Sequence, residues 1–253
     1  MKTFLNKKEI LGVNISTGSF KLFIDRLFLL SEDKSSSYVC VCNVHMLIEA
    51  KKENSFNELL NNADVVTPDG NPVVQALSFR YNYNQERVAG MDLLPILIEE
   101  SAKRKRSIYF YGSTVEVLDN IKKRINSNHP SLEIKMYSPP FRLLTEKEDQ
   151  DVIKEINCFN PDFVFVALGC PKQEKWMAQH KGKINSCMIG LGGAFPVYAG
   201  LQNRAPKWMS NNSLEWLYRL FLEPKRLLRR YFVTNFLFIY YICIDFIIDK
   251  KNK

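Results

Sequence analysis

The chain has 253 residues, 46% of them hydrophobic and 25% charged, with 11 Gly and 11 Pro. That composition belongs to an ordinary folded protein and excludes a disordered or collagen-like chain, and the length supports one large core, or at most two small ones, without disulfides or structural metals. The net charge of +8 favours an anionic partner, whether nucleic acid, a phosphorylated substrate or an acidic membrane surface.

The N-terminus, MKTFLNKKEILGV, carries charge within its first ten residues and no apolar run, so no signal peptide is evident and a cytoplasmic location is expected. Over the first two hundred residues, short β-branched or aromatic runs alternate with longer amphipathic stretches. Strands are predicted at residues 9–14, 38–42, 64–67, 107–111, 133–137, 163–168 and 187–191, and helices at 20–30, 91–105, 115–126, 146–157 and 172–180. Such alternation builds βαβ units on a largely parallel sheet. The expected fold is therefore α/β, a Rossmann-like doubly wound domain over residues 1–200. Five of the six cysteines (Cys40, Cys42, Cys158, Cys170 and Cys187) sit mostly in apolar runs of this region, where Cys serves as a small core residue; the sixth is Cys243. No disulfide framework is expected, and Cys40 and Cys42 have no second pair to complete a zinc site.

Residues 201–253 change in character and read as a C-terminal helical appendage. Between Arg204 and Arg230 seven basic residues stand against two acids, a local excess of five out of the chain's +8. Residues 231–248 follow as eighteen mostly apolar positions, interrupted by Thr234, Asn235 and Asp245. Basic residues beside an apolar helix suit anionic lipid head groups, and a charge at Asp245 argues for a segment lying on the membrane rather than spanning it.

Ligands of open α/β sheets bind outside the carboxyl ends of the strands, so four strand exits carry the candidate site. Gly112-Ser113-Thr114 either presents backbone N–H groups to a phosphate or is only a tight turn. Neither GxGxxG nor GxxxxGK[ST] occurs, which removes the main support for dinucleotide or Walker-type nucleotide binding. Thr67-Pro68-Asp69-Gly70 sets a carboxylate at a strand exit, as a catalytic base or as a turn and cap residue. In Gly169-Cys170-Pro171-Lys172-Gln173-Glu174, Pro171 is read as the first helical residue, which leaves Lys172 and Gln173 to offer donors to anionic or sugar oxygens. Gly192-Gly193 allows either a close ligand approach or close packing. Arg219, Arg226 and Arg229 would share a face of a continuous helix, solvated or gripping a diphosphate, unless Pro224 breaks that helix.

Taken together, TPDG at 67–70, ERVAGMDL at 86–93, GCPKQE at 169–174, GLGGAF at 190–195 and RAPKWM with LEWLYRLFLEPKRLLRRY at 204–231 resemble the WecG/TagA/CpsF family of bacterial glycosyltransferases. The resemblance covers roughly residues 9–235. It implies transfer of a hexosamine-type sugar, N-acetylmannosamine or a relative, from a UDP-sugar to a polyprenyl-diphosphate-linked saccharide at the cytoplasmic face of the membrane, in the making of teichoic acid, capsule or exopolysaccharide. By the same resemblance Asp69 is the general base of an inverting displacement, Thr67 belongs to its motif, and Gln173 with its loop helps bind the donor. Arg219, Arg226 and Arg229 hold a diphosphate, without a cofactor or metal, and oligomers form.

Three positions depart from the family pattern. Pro196 stands where Asp is common and Cys170 where Ala is. The second strand offers Val41, Cys42, Asn43 and His45 where many members carry Thr, which makes Asn43 and His45 candidates for acceptor contacts, with a helix start or cap as the plainer role of His45. Two rival readings stay beside the enzyme: a nucleic-acid-binding module using residues 204–230, and an inactive partner that docks other assembly enzymes at the membrane.

Overall fold

Residues 9–14, EILGVN, hold a short apolar run that reads as a strand, yet Gly12 in their middle permits a reversal. Leu11 and Gly12 take φ of 52° and 84°, the left-handed backbone of a two-residue hairpin turn. The predicted single strand is therefore two: β1 (Asn6–Ile10) pairs antiparallel with β2 (Val13–Thr17), Ile10 opposite Val13. The structure is a computed structural model that describes residues 4–206, 208–209, 214–222 and 224–251.

Six further strands form one parallel sheet: β3 (Ser37–Cys42), β4 (Val65–Pro68), β5 (Ile108–Gly112), β6 (Ile134–Tyr137), β7 (Phe163–Ala167) and β8 (Cys187–Gly190). Their order is β4-β3-β8-β7-β5-β6. Every residue of these strands except those of the edge strand β6 is buried. A parallel sheet covered on both faces requires such continuous apolar runs. Each of the six lies within a residue of its predicted bounds.

The helices between the strands are α1 (Phe20–Asp33), α2 (Val44–Lys52), α3 (Asn54–Asn61), α4 (Asn71–Tyr81), α5 (Gly90–Lys103), α6 (Val115–Asn128), α7 (Glu146–Phe159), α8 (Lys172–His180) and the single turn α9 (Phe195–Tyr198). Alternate strand residues divide the core between them. Tyr109, Tyr111, Val164, Val166 and Met188 face α2, α3, α4, α7 and α8. Ile108, Phe110, Phe163, Phe165 and Ile189 face α1, α5, α6 and α9. The doubly wound α/β expectation holds, since helices cover both faces.

Adjacent strands β3 and β8 send their following helices to opposite faces, α2 to one and α9 to the other. The connections diverge at that point and leave a crevice between the carboxyl ends.

Two helices complete the described chain, α10 (Glu215–Leu222) and α11 (Pro224–Lys251). Proline has no N–H to donate and is tolerated at a helix start, which is where Pro224 stands on α11. Arg219 lies on α10, and Arg226 and Arg229 on α11. α11 buries Thr234 and Phe238, the latter within the core cluster that includes α2, and Asp245 pairs with Arg80 of α4 at 2.9 Å. Among the described residues no helix is long and apolar enough to cross a membrane.

Candidate active site

A cavity of about 1010 Å3 opens at the carboxyl ends of β3, β4, β7 and β8. The loops after those strands form its floor, and α10 and α11 wall it with Trp216, Tyr218, Leu228 and Phe232. Of the residues singled out from the sequence, Asn43, His45, Asp69 and Gln173 line it, whereas Thr67, Gly112 and Lys172 are not part of the lining.

Asp69 follows β4 directly, and its backbone N–H donates to the Cys42 carbonyl at 2.8 Å, which ties the β3 and β4 exits together. The helix that follows, α4, has Gly70 as its N-cap residue, at φ 93°. Asn43 does act as a cap, its Oδ1 accepting from the Met46 N–H at 3.2 Å. His45 stands in the first turn of the same helix. The residues at the end of β3 thus begin α2 and face the cavity at once.

Three candidates have other surroundings. Thr67 is fully buried and its hydroxyl donates to the Val88 carbonyl at 3.0 Å, fastening β4 to the segment before α5. Gly112 has φ 104°, and a Cβ there would sit 2.5 Å from the Ala167 carbonyl oxygen; the glycine lets β5 approach β7. Lys172 is the first residue of α8 and is exposed. Pro171 precedes it as the cap rather than as the first helical residue.

Gln173 is held at both ends of its amide. Its Oε1 accepts from the Gly169 N–H at 3.2 Å and its Nε2 donates to Glu174 Oε1 at 2.7 Å. A Cβ on Gly190 would lie 2.8 Å from that amide nitrogen, and one on Gly192 2.7 Å from the oxygen. Gly192 is thus small because Gln173 packs against it, while Gly193 is exposed in the cavity lining. Glu174 is fully buried with no hydrogen-bond partner for its Oε2. Burial pushes its carboxyl up to about 7, although the Gln173 hydrogen bond pulls the other way.

Arg87 is a cavity residue that motif reading quotes without assigning a role. It donates to Glu215 of α10 at 2.9 Å and to Asp92 of α5 at 3.1 Å, and Arg204 donates to the other Asp92 oxygen at 2.6 Å. Burial opposes its charge, but Glu215, Asp92 and Asp69 outweigh it and hold the guanidinium firmly protonated. Through Arg87 the acidic end of α10 is fixed beside Asp69. No signal in the sequence pairs Arg87 with a residue 128 positions away. The available clue was an Arg and an Asp five apart, flanking the start of a helix. The side chains of Arg219, Arg226 and Arg229 lie outside the described residues. Among the described residues no three His, Cys, Asp or Glu side chains gather as a metal site would require.

A large crevice at a switch point, entered by a strand-exit carboxylate and by amide and guanidinium donors, makes this an α/β enzyme of the doubly wound class. Comparison of sequences narrows the class. The model of the glycosyl transferase WecG/TagA/CpsF family matches residues 8–252; the chain belongs to that family and is a glycosyltransferase. It is 31% identical over 243 residues to the N-acetylglucosaminyldiphosphoundecaprenol N-acetyl-beta-D-mannosaminyltransferase of Bacillus subtilis, covering 95% of this chain and 90% of that one. The enzyme of the same name from Bacillus spizizenii is 31% identical over 209 residues, 82% of this chain and 79% of the relative. The Staphylococcus aureus enzyme of that name is 26% identical over 235 residues, 92% and 91% of the two chains.

Proposed function

We propose that this glycosyltransferase moves N-acetylmannosamine from a UDP-sugar to N-acetylglucosamine carried on a polyprenyl diphosphate, for a cell-surface polymer of the teichoic acid, capsule or exopolysaccharide kind. The names of the relatives support the sugar and the acceptor. The observation that carries the mechanism is the place of Asp69, on the cavity wall at the β4 exit. In the reaction, Asp69 takes the proton of the acceptor hydroxyl. The acceptor oxygen bonds to the anomeric carbon from the face opposite the diphosphate, the bond from that carbon to the phosphate oxygen breaks, and UDP leaves with the electron pair, which inverts the centre.

Gln173 contacts the donor, Asn43 and His45 border the acceptor, and Arg219, Arg226 and Arg229, on the two helices that wall the cavity, neutralise the diphosphate without a metal. The exposed apolar side chains of α11 that do not line the cavity, among them Val233, Tyr240 and Ile247, rest on the cytoplasmic face of the membrane. That peripheral attachment brings the cavity to a lipid-borne acceptor, and a homo-oligomer fits the same reading.

The test is UDP release from a panel of UDP-N-acetylhexosamines in the presence of a lipid-diphosphate N-acetylglucosamine analogue. Asp69→Asn should lose about 10²–10⁴ in turnover. Turnover within a few fold of the unaltered enzyme would take the base role away from Asp69.

A further inference from the structure

The buried pair Gln173–Glu174 holds a group that the proposed chemistry does not use. Gln173 lines the cavity, but Glu174, next to it on α8, is fully buried and outside the lining. One Glu174 oxygen accepts the Gln173 amide and the other has no partner. A buried carboxylic acid with an unmade hydrogen bond is costly and could be replaced by an apolar residue at less expense.

We infer that Glu174 is a positioning residue, which fixes the orientation of the Gln173 amide so that one Nε2–H is left for the donor substrate. The inference rests on the reading that the cavity takes a UDP-sugar and that Gln173 contacts it. A glutamine amide can bind either way round, and the two ends differ in chemistry: the oxygen only accepts and the nitrogen only donates. Gly169 N–H claims the oxygen and Glu174 Oε1 claims one of the two nitrogen hydrogens. Flipping the amide would set its NH2 against the Gly169 N–H, donor against donor, and, once the carboxyl is ionised, its oxygen against the Glu174 carboxylate, acceptor against acceptor. The glycines at 190 and 192 pack close against the same amide, where any side chain larger than glycine's would meet it. The second Nε2 hydrogen is then the group that Gln173 offers to an anionic or sugar oxygen. Around Glu174 the other titratable side chains are Cys40 and Cys42 of β3 and Cys170, with Glu49 of α2 next beyond Cys170. None is basic, so orientation by hydrogen bonding rather than charge pairing is what this carboxyl supplies.

The experiment measures initial rates of UDP release with the full chain, for Glu174→Leu and Glu174→Gln, each alone and combined with Gln173→Ala. Leucine removes the acceptor, and the donor KM should rise about tenfold, the worth of a hydrogen bond, with kcat changing less than threefold. Glu174→Gln keeps an accepting oxygen and should bring KM back to within threefold of the unaltered chain. In the Gln173→Ala background Glu174→Leu should add less than a twofold change, because there is no amide left to orient. If the leucine variant does not fold, Glu174→Met, which fills the space with a flexible thioether, is read in the same way. An unchanged KM in a folded Leu or Met variant overturns the inference, and so does an equal rise with and without Gln173. A chain that is active but shows either result refutes the positioning role alone. A chain that neither turns over nor binds any UDP-sugar refutes the donor reading, and the inference falls with it.

Discussion

Replacing Glu174 by Gln should change how stability depends on pH, and the sign follows from burial. The folded carboxyl titrates at about 7 against an ordinary 4.5, so between those values the native chain holds a proton that the unfolded chain has released. Stability from this group is fully present below pH 4.5 and is lost as pH rises through about 7. Moving a carboxyl over that range corresponds to about 3 kcal/mol. Glutamine neither gains nor loses a proton there.

The stability of the unaltered chain relative to Glu174→Gln should therefore fall by about 3 kcal/mol between pH 4.5 and 8, which is about 6–12 °C in relative melting temperature for a chain of this size. Denaturant unfolding of both proteins at half-unit steps measures it, and taking the difference cancels groups that titrate alike in both. Burial pushes the Cys40, Cys42 and Cys170 thiols up. They stay protonated across this window, which leaves the titration to Glu174. A difference that stays constant with pH would show that Glu174 is ionised throughout, with water or a cation reaching its second oxygen, and would refute the account of a dry carboxyl.

Gly112→Ala combines a positive φ with a 2.5 Å approach to the Ala167 carbonyl and should cost about 2–4 kcal/mol in denaturant unfolding; the donor KM should not move, since Gly112 is away from the cavity lining. Arg87→Met leaves Glu215 and Asp92 without their shared cation, so the chain should lose about 1–3 kcal/mol and limited proteolysis should cut within residues 214–222 sooner. Tyr240→Ser with Ile247→Ser removes two exposed apolar side chains from α11 outside the cavity lining and should weaken binding to vesicles of anionic phospholipid at least tenfold at about 2 kcal/mol of burial per side chain; equal binding would place the lipid contact elsewhere.

The sheet was legible because its strands are buried on both faces: SYVCVC, IYFYG and FVFVA leave no polar position for a solvent face. Helices α2, α3 and α4 are absent from the predicted elements, and α4 buries only Val73, Ala76 and Leu77 of its eleven residues, too few for a marked apolar stripe. The first hairpin escaped because a single glycine inside an apolar run reads equally as strand or turn. At the site, strand exits located Asp69 and Gln173 from spacing, since the carboxyl edge of the sheet is where connections diverge. Glu174 was readable too. Taken from Gln173, α8 buries positions 173, 174, 176, 177 and 180, and a Glu on the stripe of Trp176 and Met177 cannot face water. Arg87 was not readable, because its meaning depends on a helix from the far end of the chain.

The apolar run near the C-terminus shows how one sequence feature can divide between two tasks. Read linearly, residues 231–248 are apolar nearly all round, and Asp245 looks like a charge misplaced in a membrane segment. On α11 the run has two sides. Thr234 and Phe238 are buried, with Phe238 in the core cluster of α2, and Asp245 reaches Arg80 in a partly buried pair, while Phe232, Phe236 and Ile239 edge the cavity and Val233, Tyr240 and Ile247 stay exposed away from it. A charge that would be expensive in lipid is thus spent on the protein, and it fixes which side of the helix is left for anything else. The appendage's basic residues and its exposed aromatic side then belong to the same helices that close the cavity. The helix that walls the cavity beside Asp69 therefore also carries, on its other side, an exposed apolar face.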